Sequence, residues 1–193
     1  MSDRWIGVAP VSAEADLHAL VESGAPSPEG ERLTFVRTEW PWRFEAGKLL
    51  SFDTPRGTTL SFANITIFGH LAVTIDDRDG LIALLTSRLP LEDVARLAKR
   101  SEAAASDHEK LDALLALASA QSIAGVQQPL AAFEAAARRA LDDTSPVVRL
   151  AGIRAIAILP PATSLSLLKG RKDRENPGLA EWRKHYQRLL SRS

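Results

Sequence analysis

Hydrophobic positions along the chain change their period near residue 80. Before that point, short apolar runs alternate with polar residues and end at turn-forming clusters, as is typical of β-strands. After it, leucine and alanine recur every three or four residues, as is typical of amphipathic helices. The sequence therefore predicts an α+β fold in two parts, a small mixed β/α domain over residues 1–80 and a helical domain over residues 81–193.

The N-terminal part contains one predicted helix and several predicted strands. Ser12 is placed to cap a helix that ends near Glu22. Strands are predicted at residues 33–36, 48–52, 59–62, 64–68 and 71–75. Turn clusters separate these runs, so a small sheet with one helix fits the pattern. A partial β-helix rung is a weaker alternative, because a single stretch is too short to establish a period.

Helices in the C-terminal part start at regular intervals. The predicted starts form two series, near Pro90, Pro129 and Pro161 and near Ser106, Ser145 and Asn176. Each series has a spacing of 39 residues followed by 31 or 32 residues. A helical hairpin cannot bury its apolar faces alone, so repeated hairpins are expected to stack on one another.

The middle repeat has the clearest signature. An Asp is followed by a Pro, then by Val and Arg, then by small residues, at Asp143, Pro146, Val148, Arg149, Ala151 and Ala155. This order resembles the HEAT-repeat family, and the resemblance covers roughly residues 90–193 and nothing of residues 1–80. It implies an α-solenoid that serves as a binding platform. It also implies that Asp143 and Arg149 belong to a structural ladder at the turns between helices.

The other two repeats depart from this pattern. The first keeps a basic residue at Lys110, and the third has Ala180 where Arg149 would align. In the last helix, apolar side chains share one face at Leu179, Trp182, Tyr186, Leu189 and Leu190. We expect this face to be buried and the charged face to be outside, as in the capping helix of a repeat array.

Charge and composition restrict the classes of protein that fit. The net charge is zero and there is no cysteine, which excludes disulfides and thiolate metal sites. Residues 1–105 carry a net charge of about −4 and residues 106–193 about +4. No segment has the composition of a membrane span or a secretion signal. We therefore expect a cytoplasmic protein without a membrane partner.

No motif in the sequence indicates catalysis. The four histidines are far apart, and there is no glycine-rich phosphate loop or serine elbow. The acidic segment 76–80 lacks the oxygen donors of a calcium loop at its ends, so it is predicted to be a turn. We expect no enzyme activity, no cofactor and no metal site. An enzyme of unrecognised type is an alternative, since catalytic groups can come from distant positions.

Two sets of residues are candidates for partner binding. Trp40, Trp42 and Arg43 have the residue types that dominate interface hot spots, although they also suit a satellite core joined by Trp5. The second set consists of three arginines that could line a basic surface, Arg138, Arg139 and Arg154. The predicted function is a protein-protein interaction module, such as an adaptor, a scaffold or an immunity-type inhibitory protein. The alternative is a nucleic-acid-associated protein that binds through the basic C-terminal helices.

Overall fold

Strands dominate the first part of the chain and helices the second, as expected for an α+β protein. The structure is a computed structural model, which describes residues 5–22, 34–39, 48–53, 59–65, 69–75, 80–124, 130–169, 173 and 176–191. The chain divides into two compact units, Met1–Val94 and Ala95–Ser193. The first unit extends beyond residue 80, where the sequence places the division, and takes in the residues up to Val94.

A single antiparallel sheet forms the framework of the first unit. Its strands are β1 (Trp5–Pro10), β2 (Thr34–Glu39), β3 (Lys48–Asp53), β4 (Thr59–Ile65), β5 (His70–Ile75) and the short β6 (Glu92–Asp93). Their order in the sheet is β2-β3-β4-β5-β1-β6, and every neighbouring pair is antiparallel. Two helices accompany the sheet, α1 (Glu14–Glu22) and α2 (Leu81–Arg88).

Alternation along β5 places the core of this unit. Leu71, Val73 and Ile75 lie on one face of the strand and are fully buried. They cluster with Leu17 of α1 and Leu85 of α2, which are also fully buried. The two helices therefore contribute to the same hydrophobic core as the sheet.

Strand β1 was not predicted from the sequence, although it lies between β5 and β6. Its glycine and proline are residues that weaken a strand prediction. Gly7 has a packing role here, because a Cβ atom at this position would lie 2.3 Å from the indole of Trp5. Trp5 packs against the core of the sheet. The missing side chain of Gly7 thus provides the space that the indole occupies.

The other predicted strands correspond to β2, β3, β4 and β5. The two runs predicted at 59–62 and 64–68 form one continuous strand as far as Ile65. Residues 66–68 lie outside the described residues.

Six helices make up most of the described part of the second unit, and the first of them begins at Val94, the last residue of the first unit. They are α3 (Val94–Ala103), α4 (Asp107–Ala124), α5 (Ala131–Leu141), α6 (Pro146–Ala155), α7 (Pro161–Leu168) and α8 (Pro177–Leu190). Helix α6 packs against α4, α5 and α8, and α7 packs against α8. A 3₁₀ turn, Ile156–Ile158, extends α6. Helix α6 is therefore the most centrally placed of the described helices of this unit.

Small residues allow α5 and α6 to approach closely. A Cβ atom at Gly152 of α6 would lie 3.1 Å from Ala140 Cβ and 3.2 Å from the backbone nitrogen of Leu141. On α4, Ala113, Ala116, Ala118 and Ala120 are all fully buried. Short side chains at these contacts leave room for neighbouring helices at close range.

Two buried polar side chains connect consecutive helices. Gln121 near the end of α4 accepts a hydrogen bond of 2.6 Å from the backbone N–H of Leu130, just before α5. Ser164 of α7 donates a hydrogen bond of 2.6 Å to the carbonyl oxygen of Ile156. The first bond satisfies a backbone N–H just before a helix, and the second adds to the hydrogen bond that the carbonyl oxygen of Ile156 accepts from the N–H of Leu159. Among the described helices, none has both the length and the apolar character needed to cross a membrane.

Candidate functional site

Polar residues concentrate at the turns between the helices of the second unit. At the start of α4, the carboxylate of Glu109 accepts hydrogen bonds from the backbone N–H groups of Ser106 (2.9 Å) and Ala105 (3.0 Å). The N–H of Glu109 donates to Ser106 Oγ at 3.3 Å. Ser106 and Glu109 thus form a reciprocal capping box at the start of α4. The hydrogen bond from the backbone of Ser106, followed by that from Ala105, lowers the pKa of Glu109 below its ordinary value.

Asp143 lies in the turn between α5 and α6. Its carboxylate pairs with Lys110 Nζ at 2.9 Å and accepts a hydrogen bond of 2.8 Å from the backbone N–H of Ser145. Burial raises the pKa of Asp143, but the hydrogen bonds from Lys110 and Ser145 and the charges of Lys110 and Arg149 outweigh this effect. The pKa of Asp143 is therefore lowered. The hydrogen bond to Asp143 in turn raises the pKa of Lys110.

The hydroxyl of Ser145 bonds to a different helix from the one that Ser145 precedes. Ser145 stands at the N-cap position of α6 and Pro146 follows it, but the serine side chain makes no capping hydrogen bond. Its Oγ instead donates a bond of 2.6 Å to the carboxylate of Asp107 at the start of α4. This bond and the Lys110–Asp143 pair connect two successive turns.

Arg149 extends the polar series to the segment between α7 and α8. Its guanidinium donates hydrogen bonds to the carbonyl oxygens of Asp143 (2.7 Å) and Thr144 (3.1 Å). Its Nε also lies 3.5 Å from Asp173 Oδ1. Asp173 forms a second ion pair with Arg183 of α8 at 2.5 Å, with only 4% and 6% of the two side chains exposed. Arg149 thus points toward the turns and does not line an open basic surface.

Asp173 and Arg183 were not among the residues identified from the sequence. One signal for Asp173 was available, because it follows Asp143 by 30 residues, close to the repeat interval. Arg183 offered no comparable signal, since an arginine between apolar positions normally marks a solvated face. Its burial accompanies the ion pair with Asp173.

A small cleft is lined by residues from the end of α3, the first half of α4, the end of α5 and the start of α6. Its volume is about 110 Å³, and its lining includes Ser101, Glu102, Lys110, Arg139 and Asp143. Arg139 donates a hydrogen bond of 3.0 Å to Ser101, and Lys110 is held by Asp143. Pockets that enclose small-molecule ligands typically measure about 300–1,000 Å³. This cleft has the size of a site for one side chain.

The three arginines predicted to bind a partner lie on two helices. Arg138 is exposed on α5 and pairs with Glu134 at 2.6 Å, one helical turn away. Arg139, on the same helix, is exposed and bonded to Ser101. Arg154 is exposed on α6. The described contacts of these arginines do not join them into one cluster. Trp40, Trp42 and Arg43 lie outside the described residues.

Helix α8 presents the largest difference from the sequence prediction. Leu179, Arg183 and Leu190 are its buried residues, whereas Trp182 is 44% exposed and Leu189 38% exposed. The expectation that Trp182 and Leu189 face inward is therefore wrong. The apolar positions of this helix form two overlapping stripes, one with Trp182 and Leu189 and the other with Leu179 and Leu190. The structure buries the second stripe together with Arg183, which forms its ion pair with Asp173 there. Side-chain spacing alone did not distinguish the two.

The exposed stripe of α8 is aromatic along most of its length. Trp182 lies 6.0 Å from His185 and 6.1 Å from Tyr186 between ring centroids, and the rings of His185 and Tyr186 are 5.9 Å apart. Leu189 continues the stripe by one more turn. We call these four residues, Trp182, His185, Tyr186 and Leu189, the α8 aromatic face.

Charged side chains border this face. Glu181 and Arg188 are exposed along one edge of it, whereas the shallow depression along Lys184, Gln187, Arg188 and Ser191 lies mostly on the opposite side of the helix. Aromatic side chains surrounded by charges form the composition that characterises interface cores and their rims. Within the described ranges, no group of three His, Cys, Asp or Glu residues is arranged to hold a metal ion.

The α8 aromatic face is thus the feature of the described residues with the composition of a binding surface. Comparison of the chain with protein-family models, curated protein sequences and solved structures gives no match.

Proposed function

We propose that this protein is a non-catalytic protein-protein interaction module, of the adaptor, scaffold or immunity type, built on a short HEAT-like array. Three features support the array. Helices α5 and α6 pack together, as do α7 and α8, and α6 also contacts α4 and α8. The helices start at repeated intervals. Ion pairs Lys110–Asp143 and Arg149–Asp173 join successive turns in the manner that the HEAT resemblance implies.

The observation that carries the binding function is the exposure of Trp182 and Leu189 on the α8 aromatic face. Large apolar side chains at the surface are unfavourable in water, and their clustering is typical of sites that another macromolecule covers. Tryptophan and tyrosine are also enriched among the residues that contribute most to binding energy. A helix that buries one stripe in its own unit and exposes a second one is suited to contact a partner.

The cleft between the turns supports the same proposal. At about 110 Å³ it is small for an enzyme substrate. In its lining, Lys110 pairs with Asp143 and Arg139 is bonded to Ser101. A surface that binds by an exposed helical face does not require a deep pocket. The array would then hold α8 in a fixed orientation.

Affinity capture with matched variants tests the proposal. Three tagged proteins are each incubated with extract from the native cells, namely the wild type, Trp182→Ala and Val147→Ala. An untagged copy of the chain is added to each incubation. Val147 is 59% exposed on α6 and serves as the control. We expect the same protein to be retained by the wild type and by Val147→Ala, with a loss of about tenfold or more for Trp182→Ala. Equal retention by all three would contradict the proposal.

A second candidate function is nucleic-acid binding through α8. Lys184 and Arg188 are exposed on the same helix as Trp182 and Tyr186, and cationic and aromatic side chains are the groups that bind single strands by charge and stacking. The net charge of zero weakens this candidate. Fluorescence anisotropy with a labelled single-stranded oligonucleotide decides it. Binding that falls steeply with salt and is lost in Lys184→Glu would favour it, and no binding at 50 mM salt would remove it.

A further inference from the structure

At two places in helix α8, a charged residue is followed directly by a large hydrophobic residue. An acidic and an aromatic residue, Glu181 and Trp182, are followed seven residues later by a basic and an aliphatic residue, Arg188 and Leu189. All four side chains are exposed. Seven residues are close to two helical turns, so Trp182 and Leu189 lie on one line along the helix, and Glu181 and Arg188 lie on a second line beside it.

This arrangement is complementary to itself when two copies of the helix pack in antiparallel orientation. With a two-fold axis near His185 and Tyr186, Trp182 of each copy faces Leu189 of the other. The same operation brings Glu181 of one copy alongside Arg188 of the other, on the same side of the helix pair. A two-fold interface of this kind uses one patch twice, which is the commonest symmetry among homo-oligomers.

We propose that the α8 aromatic face pairs with the α8 aromatic face of a second copy of this chain, in an antiparallel homodimer with two reciprocal Glu181–Arg188 ion pairs. This inference rests on the proposed function and names the partner for the same surface. The opposite charges at Glu181 and Arg188 are the argument for a second copy as the occupant. A partner that is uniformly acidic or basic would meet one of these two charges unfavourably.

The charge and size of the surface also agree with self-association. The chain has no net charge, so two copies do not repel one another at long range. With 14 residues, α8 is about 21 Å long. A pair of such helices provides an interface at the small end of the known range. We therefore expect a dissociation constant on the order of 10–100 µM.

Charge-reversal variants test the pairing through its symmetry. Sedimentation velocity is measured for the full chain from about 5 to 200 µM, a range that brackets the expected dissociation constant. We expect the wild type to change from monomer to dimer across this range. Glu181→Arg and Arg188→Glu should each weaken association by roughly tenfold or more, because each places like charges opposite one another. The double variant should restore association.

Mixing the two single variants gives the sharpest outcome. In the mixture, the two arginines of Glu181→Arg face the two glutamates of Arg188→Glu, so heterodimers should form at concentrations where each variant alone is monomeric. Glu102→Arg changes the net charge equally at an exposed position on α3 and should leave association unchanged. Circular dichroism checks that every variant is folded.

The possible failures are distinguishable. A wild-type chain that remains monomeric at 200 µM, or a mixture that shows no association, overturns the homodimer. If the wild-type chain nevertheless captures a different protein, and Trp182→Ala loses it, the proposed function stands and only the homodimer is overturned. If it retains no protein at all, both fail.

Discussion

Replacement of Asp173 by alanine is expected to destabilise the second unit more than any other single loss of charge among its described ion pairs. Asp173 lies between Arg149 and Arg183, and its side chain is only 4% exposed. Removal of the carboxylate leaves the guanidinium of Arg183, itself 6% exposed, without this counter-charge in a desolvated position. Breaking a buried ion pair in this way typically costs about 3–5 kcal/mol.

We expect the lower part of that range. Arg149 is less deeply buried than Arg183, and it keeps its hydrogen bonds to the carbonyl oxygens of Asp143 and Thr144. The free energy of unfolding should therefore fall by about 3 kcal/mol. Urea denaturation followed by far-UV circular dichroism measures this change directly, with the helical signal reporting mainly on the second unit.

The Arg100–Asp112 pair provides a matched control. Its chemistry is the same, but 35% and 38% of its side chains are exposed, and exposed pairs contribute about 0–1 kcal/mol. Asp112→Ala should therefore change the free energy of unfolding by less than about 1 kcal/mol. Equal effects of Asp112→Ala and Asp173→Ala would refute the argument from burial. Adding Arg183→Met to Asp173→Ala should recover part of the loss, because it removes a buried charge that has lost its Asp173 counter-charge.

Three further changes test other parts of the structure. Because the pKa of Asp143 is lowered in the folded protein, its contribution to stability is present above the ordinary carboxyl pKa of about 4 and is lost as the pH falls through the folded-state pKa. Asp143→Asn should therefore weaken the acid dependence of the melting temperature below about pH 4, and an unchanged dependence would contradict this. Ser164→Ala should cost about 1 kcal/mol because it removes the buried hydrogen bond from Ser164 to the carbonyl oxygen of Ile156. Ser166→Ala, at an exposed position, should lie within about 0.5 kcal/mol of the wild type in the same urea assay. Gly152→Val should cost about 1–3 kcal/mol through overlap with the backbone of α5, and a variant as stable as the wild type in thermal denaturation would show that the helices can separate without cost.

Most helices of the second unit could be predicted because their ends have strong local signals. The capping box at Ser106 and Glu109 and the Asn176-Pro177 start of α8 act through bonds within a few residues. Such local chemistry leaves a direct trace in the sequence. Strand β1 left no such trace, because its place between β5 and β6 depends on residues far along the chain.

The candidate site was harder to predict for a related physical reason. The orientation of α8 about its own axis depends on whether Trp182 or Arg183 is buried, and hydrophobicity alone favours Trp182. The structure buries Arg183 because Asp173 lies next to it. A long-range ion pair can outweigh local periodicity, and a single sequence does not reveal which charges meet.

The central claim is that the α8 aromatic face binds protein, and photo-crosslinking tests it most directly. Benzoylphenylalanine is introduced at position 182, or at the exposed position 147 as a control, and the crosslinked products are identified by mass spectrometry after irradiation in cells. We predict a protein adduct from position 182, either with a second copy of the chain or with another polypeptide, and at most a weak adduct from position 147. Nucleic-acid adducts alone, or equal protein labelling from both positions, would contradict it.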